Sequence, residues 1–287
     1  MSTELIFALI KSSIVLGVLL TNTILLIWFE RKLVAGMQSR VGPDRAGPFG
    51  ILQTVADAIK LLLKEQILPL KADRAMYLLA PIISLVPSFL IFMVIPLGPN
   101  IDVLFNGTQY EIELVGADLN VGVLYFLALS SIAVYSVVLA GWSSGSKYPL
   151  LGGVRASAQM ISYEAAMGLS LVPVILYSGS LSLVDIVQSQ SGNLSSTFPF
   201  LNNIVSFIPK WNIFPQFVAF GIFFIAAVAE VNRAPFDLVE AEQELVGGFH
   251  TEYSGFRFAM FFLAEYINMF NMCAITATFF LGGWLGP

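Results

Sequence analysis

Six apolar stretches punctuate this chain: Leu5–Phe29, Met76–Leu97, Val121–Trp142, Val154–Tyr177, Phe214–Val231 and Phe256–Leu281. Each is close to the roughly 20 residues a helix needs to cross the hydrocarbon of a bilayer. The pattern predicts an all-α, polytopic transmembrane protein, with residues 1–287 forming a single membrane domain. The fifth stretch is the shortest, and its flank allows the helix to run past Val231 as far as Ala234, where Pro235 disfavours continuation. The opening MSTELIFALIK has no basic segment and no small-residue cleavage site, so it reads as a retained first span.

A different periodicity occupies the inner loop at 30–75. Across Phe49–Lys64, Ile51, Leu52, Val55, Ile59, Leu62 and Leu63 share one helical face, while Gln53, Asp57, Lys60 and Lys64 form a polar stripe on the other. A helix of this length and pattern is expected to lie in the plane of the membrane interface. An ordinary solvated surface helix is the plainer alternative. The preceding VGPDRAGPFG is a turn rich in Gly and Pro.

The loops set an orientation. Eight of the fourteen Lys and Arg follow the first span: Arg31, Lys32, Arg40, Arg45, Lys60, Lys64, Lys71 and Arg74. The loop 98–120 has none, the third holds Lys147, the fourth Lys210, and the fifth Arg233 with Arg257 at its far end. The odd-numbered loops are therefore expected on the inner side, with the N-terminus outside.

Charge is scarce and unevenly spent. Only 11% of residues are charged against 57% hydrophobic, and the mean hydropathy is +0.81, which excludes an ordinary soluble domain. Yet Ala229–Ser254, AEVNRAPFDLVEAEQELVGGFHTEYS, carries Glu230, Asp237, Glu240, Glu242, Glu244 and Glu252 directly after a span, with Arg233 and His250 as possible counterweights. Carboxylates beside hydrocarbon are costly to hold ionised and point to proton or charge handling. A solvated acidic loop is the plainer reading of DLVEAEQE taken alone. As a helix it would put Glu240 and Glu244 on one face; extended, it would align all three glutamates.

Glu164 lies near the middle of the fourth span and Glu265 within the sixth, while Arg155 opens the fourth. Arg155 and Glu164 are nine residues apart, about 13.5 Å of rise and half a turn, so they cannot neutralise each other on one helix. Such groups either mark a proton path or make interhelical hydrogen bonds.

Other chemistries are poorly supplied. Cys273 is the single cysteine and His250 the single histidine, too few for a disulfide, an iron–sulfur cluster or bis-histidine haem. No metal site, no catalytic redox group and no glycine-rich nucleotide loop is expected, and the sequence pI of 4.9 argues against nucleic acid.

Three blocks now become recognisable: FERKLVAGMQSRVGPDRAGPFGILQTVADAIKLLLKE at 29–65, GGVRASAQMISYE at 152–164 and AEVNRAPFDLVEAEQELVGGFHTEYSG at 229–255. In order and with matching spans between them, they resemble the complex I membrane protein known as the H subunit in bacteria and as subunit 1 in mitochondria. Complex I is the proton-pumping NADH:quinone oxidoreductase of the respiratory chain, and the resemblance covers essentially the whole chain. It implies a subunit at the joint of the hydrophilic and membrane arms, walling a quinone (ubiquinone) chamber whose entry is framed by the amphipathic helix. Glu30, Arg31, Arg40, Asp57, Lys60 and Arg155 would line the chamber. Glu230, Asp237, Glu240, Glu242 and Glu244 would form an acidic funnel, and Glu164 and Glu265 the point where the proton path enters the membrane. The roles of His250 and Glu252 are less defined by the motifs.

The same resemblance implies quinone as substrate, with FMN and iron–sulfur clusters in partner subunits. The implied partners are the iron–sulfur subunits of the quinone site, small membrane subunits, antiporter-like subunits and membrane lipid. The setting would be an energy-transducing inner membrane, bacterial or mitochondrial. The family usually has eight spans, and the chain stops at GGWLGP after the sixth, so a separate polypeptide supplying the last two is one expectation. Three other readings stay open: the equivalent subunit of a membrane-bound hydrogenase or of an F420- or ferredoxin-type dehydrogenase, a free-standing proton/cation antiporter, and a purely structural joint.

Overall fold

The computed structural model describes residues 3–105, 108–112, 114–194, 209–237 and 245–285, with backbone alone at 3–10, 101–105 and 108–112. Among them, the long apolar stretches form α1 (Thr3–Met37), α3 (Arg74–Phe92), α4 (Gly122–Ser143), α5 (Lys147–Ser178) and α8 (Phe256–Phe280). Five helices among the described residues are long and apolar enough to cross a membrane, and α7 (Phe217–Glu230) is a shorter apolar helix. The chain is an all-α polytopic membrane protein. Pro81 and Pro87 in α3 and Pro173 in α5 sit inside helices, as membrane spans tolerate.

At 14 residues, α7 rises only about 21 Å and falls short of the bilayer core by itself. It does not reach Ala234. Asn232 adopts φ 52°, in the left-handed region that Asn tolerates, and the helix ends at Glu230.

The amphipathic segment folds as α2 (Gln53–Leu63), preceded by a single 3-10 turn at Pro48–Gly50. Phe49, inside that turn, has φ 56°, outside the right-handed helical region. Gly50 has φ 78°, and a Cβ there would sit 2.3 Å from the Pro43 carbonyl oxygen. Part of the polar face of α2 meets α1: Asp57 pairs with Arg31 and the Thr54 hydroxyl donates to the Ile24 carbonyl at 3.4 Å, while Lys60 is exposed. Leu52, Ile59, Leu62 and Leu63 on the apolar face stay exposed. A solvated surface helix would do the reverse.

Two smaller elements lie in loops. β1 (Ile101–Phe105) pairs antiparallel with β2 (Thr108–Ile112), and α6 (Leu183–Ser189) is N-capped by the Ser182 hydroxyl.

The chain divides into two compact units, with the divisions falling inside α3, α4, α5 and α8. The first comprises Met1–Phe89, Ile132–Gln159 and Pro235–Phe270. In it, the Asp73 amide bonds the Ser143 carbonyl at 2.9 Å, and the Tyr253 ring packs edge-on against Phe261. Gly152 of α5 touches the backbone of Gly248, where an added Cβ would come within 2.7 Å. The second unit comprises Leu90–Ser131, Met160–Ala234 and Asn271–Pro287. Its core holds Phe223, Phe279 and Phe280, with Phe223 and Phe280 centroids 5.5 Å apart. Buried Gln190 knots it together, donating to the Ile186 and Thr278 carbonyls and accepting from the Asn212 and Gly282 amides.

Candidate functional site

The last turns of α1 place consecutive charged residues against two elements of the first unit. Tyr266 of α8 donates its hydroxyl to Glu30 Oε2 at 2.5 Å, and Arg31 forms an ion pair with Asp57 of α2. Trp28 Nε1 donates to the Phe49 carbonyl at 2.9 Å, and Lys32 lies 3.4 Å from Asp44. Together these contacts fasten the loop and α2 to α1. Burial pushes the Asp57 carboxyl up, but hydrogen bonds from Arg31 and Gln53 and the charges of Arg31 and Lys60 outweigh it. The net result is a carboxyl below its ordinary value of 3.8.

The remaining predicted residues of this unit are more dispersed. Arg40 is exposed and donates to Gln38 Oε1 at 2.7 Å, and Arg155 is exposed on α5. Asp237 is exposed, and Glu265 is half-buried next to buried Tyr266. Gln159 holds the start of the acidic loop by donating to the Phe236 carbonyl at 3.0 Å. Glu240, Glu242 and Glu244 lie outside the described residues.

The far end of that loop is tightly seated. His250 packs edge-on against Phe249 and Phe258, and burial pushes its imidazole down to about 4. The Tyr253 ring stacks on Tyr77, and burial pushes its phenol up to about 12. Arg257 stands over the Tyr77 ring at 5.4 Å. The Ile67 amide donates to Ser254 Oγ at 3.0 Å.

In the second unit, adjacent serines of α4 serve two carboxylates from different helices. Ser130 donates to Glu230 Oε1 at 2.9 Å, and Ser131 bonds Glu164 Oε1. Glu230 is 6% exposed, its Oε2 has no hydrogen-bond partner among the described residues, and the charge of Glu164 acts on it. Glu230 is thus a buried carboxyl with one hydroxyl donor and a second carboxyl acting on it. A separate cleft of about 510 Å³, lined by Leu169, Pro173, Pro215, Val218 and Ile222, includes none of the predicted site residues.

With the charges placed, relatives of the chain become informative. The family described as NADH dehydrogenase matches residues 10–287. The H subunit of NADH-quinone oxidoreductase from Thermomicrobium roseum is 52% identical over 99% of this chain and 80% of its own length. This chain belongs to the NADH dehydrogenase family. The corresponding protein of Syntrophobacter fumaroxidans is also 52% identical, over 96% of this chain and 77% of its own length. That of Frankia alni matches at 52% over 97% of this chain, which spans only 57% of that relative's length.

In this family member, sequence reasoning missed Ser130, Ser131, Tyr266 and the Tyr77–Tyr253 pair. A serine or tyrosine within an apolar helix carries no local mark. Their importance comes from carboxylates or loops brought in from distant positions, 100 residues away for Ser130 and Glu230. The hairpin was missed too, although Asn106–Gly107 between IDVLF and the alternating TQYEI is a turn signal.

Proposed function

We propose that this chain is a membrane subunit of a proton-translocating NADH:quinone oxidoreductase. In this reading it walls a quinone chamber and couples quinone reduction to proton movement, in an energy-transducing membrane with its N-terminus on the outer side. The relatives named as NADH-quinone oxidoreductase subunits support the assignment. The observation that carries it is the Glu230–Ser130, Ser131–Glu164 arrangement, two carboxylates in apolar helices held by hydroxyls beside each other.

The chain supplies no electron carrier of its own: one cysteine and one histidine do not suit an iron–sulfur cluster. FMN and the clusters belong to partner subunits, together with the quinone-site and antiporter-like subunits. Quinone enters from lipid beside α2, whose uncovered apolar face suits the membrane interface. Glu30, Arg31, Arg40, Asp57, Lys60 and Arg155 set the charge of the chamber wall. Reduction of the quinone creates a demand for protons, which changes the protonation of Asp237, Glu240, Glu242 and Glu244. Glu230, Glu164 and Glu265 relay that change into the membrane.

The test is an assembled complex carrying Glu244→Gln or Glu265→Gln. Quinone reduction with fewer protons moved per quinone supports the reading, and full reduction with full proton translocation contradicts it. Co-purification of the chain with a nickel hydrogenase polypeptide in place of an NADH-oxidising one would assign it to a different electron donor.

A further inference from the structure

Helical serines commonly return their hydroxyl to a carbonyl of the preceding turn. Ser136, Ser144 and Ser170 do so here, to Ala133, Ala140 and Met167. The two carboxylate-binding serines of α4 depart from that habit in different ways. Among the described residues, Ser130 donates to Glu230 alone. Ser131 stands between two acceptors, the Leu127 carbonyl at 3.1 Å and Glu164 Oε1.

A hydroxyl has one proton and two lone pairs, and a carbonyl can only accept. Ser131 therefore satisfies both partners fully in one arrangement, in which Glu164 carries a proton and donates it to Ser131 Oγ while the Ser131 hydroxyl points to Leu127. When Glu164 is ionised, the hydroxyl must turn to the carboxylate, and the Leu127 carbonyl loses its second partner. The two settings differ by a rotation about the Cβ–Oγ bond. Ser130, with one acceptor, has no such choice.

We propose that Ser131 is a two-position hydroxyl that holds Glu164 in both of its protonation states. It is a positioning residue that keeps the carboxyl aimed while the proton arrives and leaves. This rests on the reading of Glu164 as a proton carrier. The serine O–H bond is not broken: the proton that reaches Glu164 comes from a neighbouring carboxyl or hydronium and leaves to another, and the hydroxyl only reorients. Exposure of Ser131 next to half-buried Glu164 gives it room to do so, whereas Ser130 and Glu230 are buried.

The experiment is infrared difference spectroscopy on the intact, assembled complex during quinone reduction, paired with protons translocated per quinone reduced. The carbonyl band of protonated Glu164 is assigned by its loss in Glu164→Gln. In Ser131→Ala the proposal expects this band to move to higher frequency, because the carboxyl has lost its acceptor. Protons translocated per quinone reduced should fall below the wild-type ratio, because the carboxyl is no longer held in both of its protonation states. Ser131→Thr restores the hydroxyl and should return both towards wild type. An unmoved band in Ser131→Ala, or translocation at the wild-type ratio, overturns the proposal while leaving the proton path intact. Wild-type translocation in Glu164→Gln overturns the proton-path reading itself, and this proposal with it.

Discussion

Tyr77 and Tyr253 stack their rings while each hydroxyl bonds a backbone carbonyl on the other's segment. The centroids are 4.1 Å apart with planes 4° from parallel, the Tyr77 hydroxyl donates to the Glu252 carbonyl at 2.7 Å, and the Tyr253 hydroxyl donates to the Tyr77 carbonyl at 3.2 Å. The far end of the acidic loop is thus stapled to the first turn of α3.

Removing one hydroxyl should loosen this staple without abolishing it. Tyr253→Phe keeps the stack and loses one bond, a cost of about 1 kcal/mol. Tyr253→Ala also loses the ring and should cost about 3–5 kcal/mol. Hydrogen exchange of the 248–255 amides in the assembled protein should accelerate modestly in the first variant and strongly in the second. Equal protection in both would show that the loop is held elsewhere.

Gly152 makes a second attachment, and it is purely steric. A methyl group would lie 2.7 Å from backbone atoms of Gly248, and neither side is a flexible side chain that could yield. Gly152→Ala is expected to cost about 1–3 kcal/mol through overpacking. The check is a fall in thermal unfolding temperature for Gly152→Ala and none for Gly36→Ala, where nothing lies within 4 Å of the added carbon.

How much of this was legible beforehand depends on the range of the forces involved. Spans follow from local apolar runs, and α1, α3, α4, α5 and α8 fall where those runs predicted. The amphipathic helix was also visible, although Phe49 at φ 56° delays its start to Gln53. The end of α7 was not, because a left-handed Asn232 is a choice that the run Val231–Ala234 does not announce. Glu164 and Glu230 could be singled out by their cost in an apolar setting. That adjacent serines hold them could not, since no spacing rule links positions 130 and 230.

Asp57 gives a pH test of the contact between α1 and α2. Its carboxyl sits below 3.8 because hydrogen bonds and positive charges outweigh burial. A lowered carboxyl contributes stability that is present above its unfolded value and lost as the pH falls through its folded value. Attachment of α2 to α1 should therefore be constant at neutral pH and weaken below about pH 4. Asp57→Asn should weaken it at neutral pH and flatten this acid limb. Proteolytic nicking of residues 38–57 as a function of pH is the measurement, and an identical pH profile for the variant would contradict it.

His250 behaves in the opposite chemical sense but loses stability in the same direction. Burial lowers it from 6.5 to about 4, so between these values the unfolded chain binds the proton and the folded chain does not. Stability falls as the pH drops through that window, by on the order of 3 kcal/mol once it is below about 4. Unfolding followed from pH 7 to pH 4 should show this slope in the wild type and a shallower one in His250→Phe. Matching slopes would place the titration elsewhere.

The most direct measurement of the whole account is protons translocated per quinone reduced by an assembled complex carrying Glu230→Gln. The amide oxygen still accepts from Ser130, so the helix contact survives while the titrating group is gone. Correct assembly with a markedly lower proton ratio is expected. A wild-type ratio in that variant would contradict it.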